Sequence, residues 1–487
     1  MSRAALETAL RAIEARMGPG AGADLKCERA LVLASLGRTE EARQAYLEIL
    51  QQDPTHFAAL NNFGTLLAGT DYRTAARTLF EQAVTHHPHE PVGHVNLADL
   101  LAQAGDMRRA RSHYEAALRL DPGNASAHQR LGELLMETGE VEAARRHRRQ
   151  GFGAEPIQTL AFVGRGEPVD LLVLTSTPGG DVAWRKLVDE QVFRVTTLAA
   201  AFLDSAAPLP PHALILNAIG DTDVSAEDLE AAEAICVRSG APVINPPARC
   251  RASGRQANAA RLGALPGVTA PRIATLPRRT LLGSGAREAL RAEGLEFPLL
   301  LRSPGFHTGR HFVRVEQSED LAGAVAGLPG PELMAIEYLD ARGPDGFSRK
   351  YRVMLIGDRL YPLHLVISQG WKAHYFSGAM ADRPDFRAEE AHFLEHMPEV
   401  LGAKAMAALA AIQTALGLDY GGVDFALGPS GELLLFEANA TMNIVRPDAS
   451  PVWDYRRAAT DAALTAARAM LTDRAGATCR RPTAEIG

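Results

Sequence analysis

The chain has 487 residues, of which 46% are hydrophobic and 22% charged, and this globular composition excludes an intrinsically disordered protein. The net charge of −7 gives no reason to expect nucleic acid or an anionic membrane as a partner. The four cysteines form no CxxC pair, which argues against a zinc site or a disulfide framework. We find no secretory h-region and no apolar stretch of about 18 residues, so we predict a soluble, cytoplasmic protein of about three domains.

The first part of the chain repeats with a period of 34 residues. The period is visible in columns of proline (Pro54, Pro88, Pro122, Pro156), leucine (Leu33, Leu67, Leu101, Leu135) and alanine (Ala42, Ala76, Ala110, Ala144). A small-residue column (Ala30, Gly64, Ala98, Gly132) accompanies an aromatic column (Tyr46, Phe80, Tyr114) that ends at Arg148. Small residues let two helices approach closely, and proline ends a helix because it lacks an N–H group.

These columns resemble tetratricopeptide repeats, a family of 34-residue helical hairpins. The resemblance covers about residues 23–156, and the segment 2–16 is predicted to add a capping helix, which gives an all-α repeat domain at residues 1–157. Such arrays present a concave surface to other proteins. The resemblance therefore implies a peptide or protein partner.

After residue 168 the pattern changes to short apolar runs that alternate with helical stretches, which is typical of an α/β fold. We predict strands at 170–175, 193–198, 213–217 and 242–244 and a helix at 225–239. A dinucleotide-binding domain is disfavoured because the sequence TSTPGGD after the first strand lacks a GxGxxG motif.

Two segments beyond residue 250 suit nucleotide binding. The predicted strand 297–302 ends in Arg302 and runs into a glycine-bearing loop at 305–309, whose N–H groups beside a cation suit a triphosphate. The predicted strand 333–339 breaks into a polar loop at Glu337, which suits an adenine hinge with a carboxylate for ribose. Taken alone, each segment also fits an ordinary turn or strand end.

A predicted hairpin at 349–364 carries cations on its first strand, which face either a phosphate or the solvent. A second hairpin at 421–439 gives a sharper signal. Strand alternation puts Glu437 and Asn439 on one face, and the turn brings Asp424 near them. Two carboxylates and an amide oxygen are hard ligands of the kind that Mg²⁺ prefers.

In this order, the segments resemble the ATP-grasp superfamily, especially D-alanine–D-alanine ligases and ribosomal-protein glutamate ligases. The resemblance covers about residues 168–474. It implies a multidomain chain in which the repeats precede an α/β pre-ATP-grasp domain at 168–265 and an α+β ATP-grasp domain at 266–474. Residues 475–487 are predicted to form a disordered tail.

The resemblance also implies a set of site residues. The ATP-binding residues are expected to be Arg255, Arg302, Gly305, His307, Thr308, Gly309, Glu337, Tyr338 and Leu339. The expected Mg²⁺ ligands are Asp424, Glu437 and Asn439, the expected catalytic residues are Arg352, Lys372 and His374, and the expected substrate contacts are Lys372, His374 and Arg446. Arg255 and Arg302 stand where the family commonly has lysines, and arginine keeps the positive charge.

The implied reaction is the ATP-dependent joining of a carboxylic acid and an amine through an acyl phosphate. The partners are then a small-molecule acid and amine, or a peptide or protein that the repeats hold close to the site. Neither nucleic acid nor a membrane is expected, and a homodimer is possible. Two alternatives stay open, namely a phosphotransferase that makes a phosphoester, and a scaffold in which only the repeats are functional.

Overall fold

The computed structural model describes residues 3–18, 20–68, 72–138, 140–154, 156–164, 166–177, 179–306, 311–372, 380–447 and 450–476. The chain forms two compact units. The first, which we call the helical unit, comprises Met1–Pro168 and Phe193–Val195. The second, the sheet unit, comprises Val169–Val192 and Thr196–Gly487, so the predicted boundary between residues 265 and 266 lies inside it.

The helical unit is the predicted solenoid. Its helices are α1 (Arg3–Arg16), α2 (Ala23–Ser35), α3 (Thr39–Gln52), α4 (Phe57–Ala68), α5 (Arg73–His86), α6 (Pro91–Gln103), α7 (Met107–Leu120), α8 (Ala125–Thr138) and α9 (Val141–Ala154). The predicted capping segment is α1. The leucine, alanine and aromatic columns form its apolar core, in which Leu33, Ala42 and Tyr46 are fully buried.

The small-residue column sits where two helices of one repeat approach most closely. A Cβ atom on Gly64 would lie 2.6 Å from Cε1 of Phe80, a ring that is 2% exposed. In the last repeat Arg148 takes the place of the aromatic residue, and its Cγ lies 2.5 Å from the position of a Cβ on Gly132. The aliphatic part of Arg148 therefore fills the aromatic position, and the residue is buried.

Two histidine pairs, one repeat apart, bridge neighbouring helices of the solenoid. Nδ1 of His94 lies 3.1 Å from Nδ1 of His113, and Nδ1 of His128 lies 2.8 Å from Nδ1 of His147. Nε2 of His94 donates to the carbonyl oxygen of Pro88, so in the neutral ring Nδ1 is the acceptor and His113 is the donor. Burial, followed by the neighbouring His94 and Arg109, lowers the pKa of His113, and Glu81 opposes this shift.

The short strand β1 (Ile157–Thr159) follows α9. The next elements are β2 (Val169–Thr175), β3 (Phe193–Ala199), β4 (Leu214–Asn217), α10 (Ala226–Ser239), β5 (Val243–Ile244) and α11 (Pro247–Arg251). Strand β4 pairs in parallel with β2 and with β5, as an α/β fold requires. The predicted strands and helix of this region are confirmed to within one residue at each end.

A second group of elements builds a four-stranded antiparallel sheet with its own core. It follows α12 (Arg255–Leu262) and β6 (Val268–Thr269) along the chain, whose buried residues belong to another core. The elements of this sheet are β7 (Ile273–Pro277), α13 (Arg278–Leu282), α14 (Ala286–Ala292), β8 (Leu299–Arg302), β9 (Phe312–Val315), α15 (Leu321–Ala326) and β10 (Glu332–Glu337). The strand order is β7-β10-β8-β9. Leu281, Leu299 and Leu333 are among the buried residues of this separate core.

The third sheet contains both predicted hairpins. Its remaining elements are β11 (Ser348–Ile356), β12 (Arg359–Ser368), α16 (Pro384–Leu416), β13 (Tyr420–Leu427), β14 (Leu433–Asn439) and α17 (Arg457–Arg474). The strand order is β12-β11-β13-β14-β6, and the first hairpin turns at Gly357, where φ is +59°. One apolar core joins this sheet and α16 to β2, β4 and α10, on both sides of the predicted boundary.

Helix α16 corrects one expectation from the sequence. It contains an 18-residue window with a mean hydropathy of 1.3, so by length and composition this helix is apolar enough to cross a membrane. Non-helical backbone interrupts it at His396 and Gly402. Its buried residues, among them Phe393 and Leu409, belong to the core shared with the sheets.

The predicted tail at 475–487 lies outside the described residues from 477 onward.

Candidate functional site

The sheet unit contains a cavity of about 310 Å³ between its second and third sheets. Leu300, Phe312 and Ile336 line it from the four-stranded sheet, and Arg352 and Phe436 line it from the sheet of the two hairpins. Among the described residues, seven cationic side chains line it against three carboxylates: Arg255, Arg302, Arg349, Lys350, Arg352, Lys372 and Arg456 against Glu337, Asp424 and Glu437. The excess of positive charge suits an anionic ligand.

The predicted hinge residues Glu337, Tyr338 and Leu339 line one part of this cavity, where β10 ends. The carboxylate of Glu337 accepts hydrogen bonds from the backbone N–H and the guanidinium of Arg272, at 3.0 Å and 3.3 Å. The Tyr338 ring lies 4.1 Å below the guanidinium of Arg314. Both contacts fix the hinge, and the neighbouring apolar wall is of the kind that holds an aromatic ring.

Four polar residues form a row across the third sheet. His364 on β12 is the Cα partner of Arg352 on β11, Arg352 is the partner of Asp424 on β13, and Asp424 is the partner of Glu437 on β14. Directly paired residues of antiparallel strands point to the same face of the sheet, and all four line the cavity. Strand spacing puts the ends of the row about 14 Å apart.

Asp424, in the middle of the row, is held by two cations. Nζ of Lys350 donates to its Oδ2 at 2.8 Å, and Arg352 donates to Oδ1 at 2.6 Å and to Oδ2 at 2.8 Å. The Asp424 side chain is 5% exposed. Burial raises its pKa, but Arg352 and Lys350 outweigh that effect, so the pKa lies far below its ordinary value and the group stays ionised.

Glu437, at one end of the row, belongs to a second group of charges. Its Oε1 accepts hydrogen bonds from Arg255 and, at 2.8 Å, from Nδ2 of Asn439. Burial raises the pKa of Glu437, and Arg255 and Arg302 together overcome this and lower it to about 2. Burial and the nearby Arg255 lower the pKa of Arg302 to about 10. Two arginines therefore lie beside Glu437 at this end of the cavity, and Asp221 and Asp223 interact with the same pair.

The donor set at this end has the chemistry of a Mg²⁺ site. Asp424 and Glu437 present hard oxygen atoms from neighbouring strands, and Glu437 Oε2 accepts no hydrogen bond from a described residue. Asn439 instead uses its Oδ1 to accept from the backbone and hydroxyl of Thr441. In the described part of the chain no group of three or more His, Cys, Asp and Glu is placed to hold a metal. Asp424 and Glu437 are the two described carboxylates here that could coordinate such an ion, and its other ligands would have to come from a bound molecule or water.

The other predicted residues fall into four groups. Lys372 lines the cavity, and burial followed by the nearby Arg302 lowers its pKa. Gly305 has φ +79°, and a Cβ atom there would lie 2.6 Å from Val224, so the predicted loop starts at a position that requires glycine. Arg446 does not line the cavity; it is 60% exposed and pairs with Asp461 at 3.3 Å. His307, Thr308, Gly309 and His374 lie outside the described residues.

Sequence reasoning left Lys350 among the cations that face either a phosphate or the solvent, and it missed Arg456 as a cavity residue. Strand alternation could have found Lys350, because it lies two residues before Arg352 on β11 and therefore faces the same way. Nothing in the local sequence distinguishes Arg456 from Arg457 beside it. Only the fold buries Arg456 to 3% exposure and places it on the cavity wall.

The comparisons with known proteins concern the repeats. Family models described as tetratricopeptide repeat match residues 2–57 and 101–147. No curated protein sequence matches the chain. Three similar solved structures each cover 31% of this chain at a TM-score of 0.28.

These structures are MamA from Desulfovibrio magneticus, a thermophilic TPR protein from Thermus thermophilus, and pilF of Pseudomonas aeruginosa. They have 22%, 16% and 24% sequence identity to this chain, which covers 87%, 84% and 70% of their respective lengths. From the family models and the observed helices we conclude that the N-terminal part of this chain is a tetratricopeptide-repeat solenoid.

Proposed function

We propose that the sheet unit is an ATP-grasp carboxylate–amine ligase, with a pre-ATP-grasp domain at 168–265 and a catalytic domain at 266–474. The observation that carries this proposal is the pairing of Asp424 with Glu437 on neighbouring strands, inside a cationic cavity between two sheets. Clustered buried carboxylates cost free energy unless cations compensate them, and here each carboxylate has its own cation. A cytoplasmic location, where ATP is available, is part of the same proposal.

In this proposal the adenine ring lies against the apolar wall near Tyr338 and Leu339, and Glu337 faces the ribose. Arg255 and Arg302 neutralise the phosphates, and Asp424 and Glu437 hold Mg²⁺. The metal would supply charge neutralisation on the phosphate oxygens. Lys350 and Arg352, which donate hydrogen bonds to Asp424, would lie beside the ion and stabilise the negative charge of the transferred phosphoryl group.

The reaction balances without a protein nucleophile. An oxygen of the substrate carboxylate attacks the γ-phosphorus, the bond to the bridging oxygen of ADP breaks, and an acyl phosphate forms. The amine then attacks the acyl carbon, phosphate leaves, and the amine nitrogen loses a proton. Lys350, Arg352 and Lys372 stabilise the negative charge that develops at each step.

Tetratricopeptide repeats bind proteins and peptides, and the solenoid gives this chain a protein-interaction role. We propose that the repeats recruit a peptide, protein or carrier that the ligase modifies. Tethering the substrate beside the site raises its effective concentration. Small-molecule acids or amines remain the co-substrates.

The test uses Asp424→Asn and Glu437→Gln, which remove one negative charge each while keeping the size of the side chain. We expect MgATP affinity in calorimetry, and any acid- and amine-dependent release of ADP, to fall at least about 100-fold, because the metal loses a charged ligand. Glu432→Gln on the same hairpin, outside the cavity lining, is the matched control.

Unchanged MgATP affinity in both variants, or no MgATP binding by the wild type, contradicts the proposal. Product analysis separates the chemistry, since a ligase yields ADP, phosphate and an amide, whereas a phosphotransferase yields a phosphoester.

A further inference from the structure

The end of the cavity away from Glu437 is more deeply buried than the rest. Ser348, His364, Arg456 and Thr460 all line the cavity and are each at most 3% exposed, whereas Lys372 at the other end is exposed. We call the cavity-facing group of Lys350, His364 and Arg456 the inner subsite. The proposed nucleotide contacts do not use Arg456 or His364.

The guanidinium of Arg456 is held in place by contacts on the side that does not face the cavity. Its Nη2 donates to Oε2 of Glu390 at 2.6 Å, and Glu390 has no exposed surface. Glu390 also accepts from the hydroxyl of Tyr455 at 2.6 Å and from the backbone N–H of Leu365 at 3.2 Å. The guanidinium lies 4.2 Å from the centre of the Trp453 ring. These contacts fix one side of the guanidinium and thereby its orientation toward the cavity.

The inner subsite, taken together with the groups that form ion pairs in and beside it, has a residual positive charge. Lys350, Arg352 and Arg456 stand against Asp424 and Glu390, which are three cations against two carboxylates. His364 lies among these cations, and burial followed by Arg352 keeps its pKa well below the ordinary value, so it adds no charge. One further anionic group would neutralise the cluster. A carboxylate matches the planar fork of an arginine side chain.

The row across the sheet places this subsite beside the proposed reaction centre. His364 lies two strands away from Asp424, at a distance of about 10 Å, on the side opposite to Glu437. A nucleotide whose phosphates lie near Glu437 and Arg255 leaves this end of the cavity to the second reactant. The subsite is thus within reach of a small molecule whose reacting group lies at Asp424.

We infer that the inner subsite binds a carboxylate that is not itself phosphorylated, with Arg456 as its main contact. This inference rests on the proposed ligase function and narrows its substrates. The carboxylate comes from one of two sources, either the second acid group of a dicarboxylic acid or the acid group of an amino acid that serves as the amine. Arg456 then determines specificity for the acid-bearing substrate.

The experiment measures binding to the full chain saturated with Mg²⁺ and a non-hydrolysable ATP analogue. The first pair of probes is glutarate and its monoamide, and the second pair is L-alanine and L-alaninamide. We expect the carboxylate member of one pair to bind at least about tenfold more tightly than its amide, since a hydrogen bond to a charged group contributes that much. The pair that shows this preference identifies the source of the carboxylate.

Two variants separate binding from folding. Arg456→Gln alone leaves Glu390 charged and fully buried, so the double variant Glu390→Gln/Arg456→Gln is used, which neutralises both members of the pair. We expect it to lose the carboxylate preference and to keep the affinity for the magnesium–nucleotide complex. Arg457→Gln removes the more exposed cation beside Arg456 and is the control, which should keep the preference.

If the double variant keeps the carboxylate preference, or if the wild type binds the nucleotide but prefers neither carboxylate, the inner subsite is wrong and the ligase proposal survives. If the wild type does not bind the nucleotide complex, the ligase proposal fails and the inference fails with it.

Discussion

The helical unit and the sheet unit both bury titratable side chains, but the main clusters of the two units do so in opposite ways. The helical unit buries imidazole rings in pairs, and burial lowers the pKa of His113 and His147, which favours the neutral form. The sheet unit buries ions, and Asp424 stays charged because Arg352 and Lys350 compensate it. A neutral pair needs only one hydrogen bond, whereas a buried ion needs a counter-ion from another element.

This difference has a consequence for what each unit tolerates. Removing one member of a buried ion pair leaves an uncompensated charge, so single substitutions in the cavity are expected to be severe. The helical unit depends on the fit of apolar columns and on neutral contacts, so its stability is expected to depend on side-chain volume and on pH.

The unfolding of the two units can be followed by different signals. All three tryptophans, Trp184, Trp371 and Trp453, lie in the sheet unit, so their fluorescence reports its unfolding. Circular dichroism at 222 nm reports mainly on helices and therefore mainly on the helical unit.

The largest effect is expected from Asp424→Ala. The substitution leaves Lys350 and Arg352, whose side chains are 14% and 18% exposed, without their carboxylate. We expect a loss of about 3–5 kcal/mol in the free energy of unfolding of the sheet unit, measured by tryptophan fluorescence in urea. The control Glu432→Ala, at the turn of the same hairpin, should cost less than about 1 kcal/mol. A loss of that smaller size for Asp424→Ala would mean that the ion pairs are not strongly coupled.

An intermediate effect is expected from Gly64→Ala in the helical unit. The added Cβ would lie 2.6 Å from the buried Phe80 ring, and overpacking of a core costs about 1–3 kcal/mol. Alanine is the better helix former by about 1 kcal/mol, so the net loss should be about 0–2 kcal/mol in unfolding followed at 222 nm. Gly22→Ala is the control, because a Cβ atom on Gly22 meets nothing within 4 Å. Stabilisation by Gly64→Ala would show that the two helices can move apart.

The smallest effect concerns the pH dependence of the helical unit. The folded state lowers the pKa of His113 and His147, through burial first and then through His94 and His128 respectively. The unfolded chain therefore binds protons more readily, so these groups cost no stability above about pH 6.5, the ordinary histidine value, and destabilise the fold as the pH falls below it. Arg109 and Glu81 face His113, and Arg146, Glu115 and Arg111 face His147.

The chain supplies its own control for this prediction. One repeat earlier, Leu60 and Leu79 occupy the columns of His94 and His113. We expect His94→Leu/His113→Leu to reduce the loss of stability between pH 7.5 and pH 5.5, measured as the thermal midpoint at 222 nm. An equal pH dependence in the variant and the wild type would show that this pair does not titrate differently on folding.

Much of the fold was predictable because the information is local. The 34-residue columns predicted the helical hairpins, and short apolar runs predicted β2, β4 and α10 to within one residue. Both hairpins of the third sheet were also predictable, since Gly357 and the 428–431 turn separate alternating strands. The approach of Asp424 to Glu437 followed from that alternation.

Other features were not predicted. The apolar composition of α16 is readable from the sequence but was not recognised. Arg446, predicted to contact substrate, is exposed and pairs with Asp461. The ligase activity, the bound nucleotide and the metal remain predictions. Arg456 and Arg457 are neighbours in the sequence, and no local pattern distinguishes them. Arg456 is nevertheless 3% exposed, whereas Arg457 lies on the surface.

The sequence by itself determined the repeat period, the strands and the approach of Asp424 to Glu437 within one hairpin, because these depend on contacts between segments that are close along the chain. The tertiary structure alone decided which charges compensate one another. Arg255 reaches Glu437 across 182 positions and Arg456 reaches Glu390 across 66, and such pairs have no local pattern. Their partners are fixed by the packing of sheets and helices, since a buried charge is stable only where the fold brings its counter-ion.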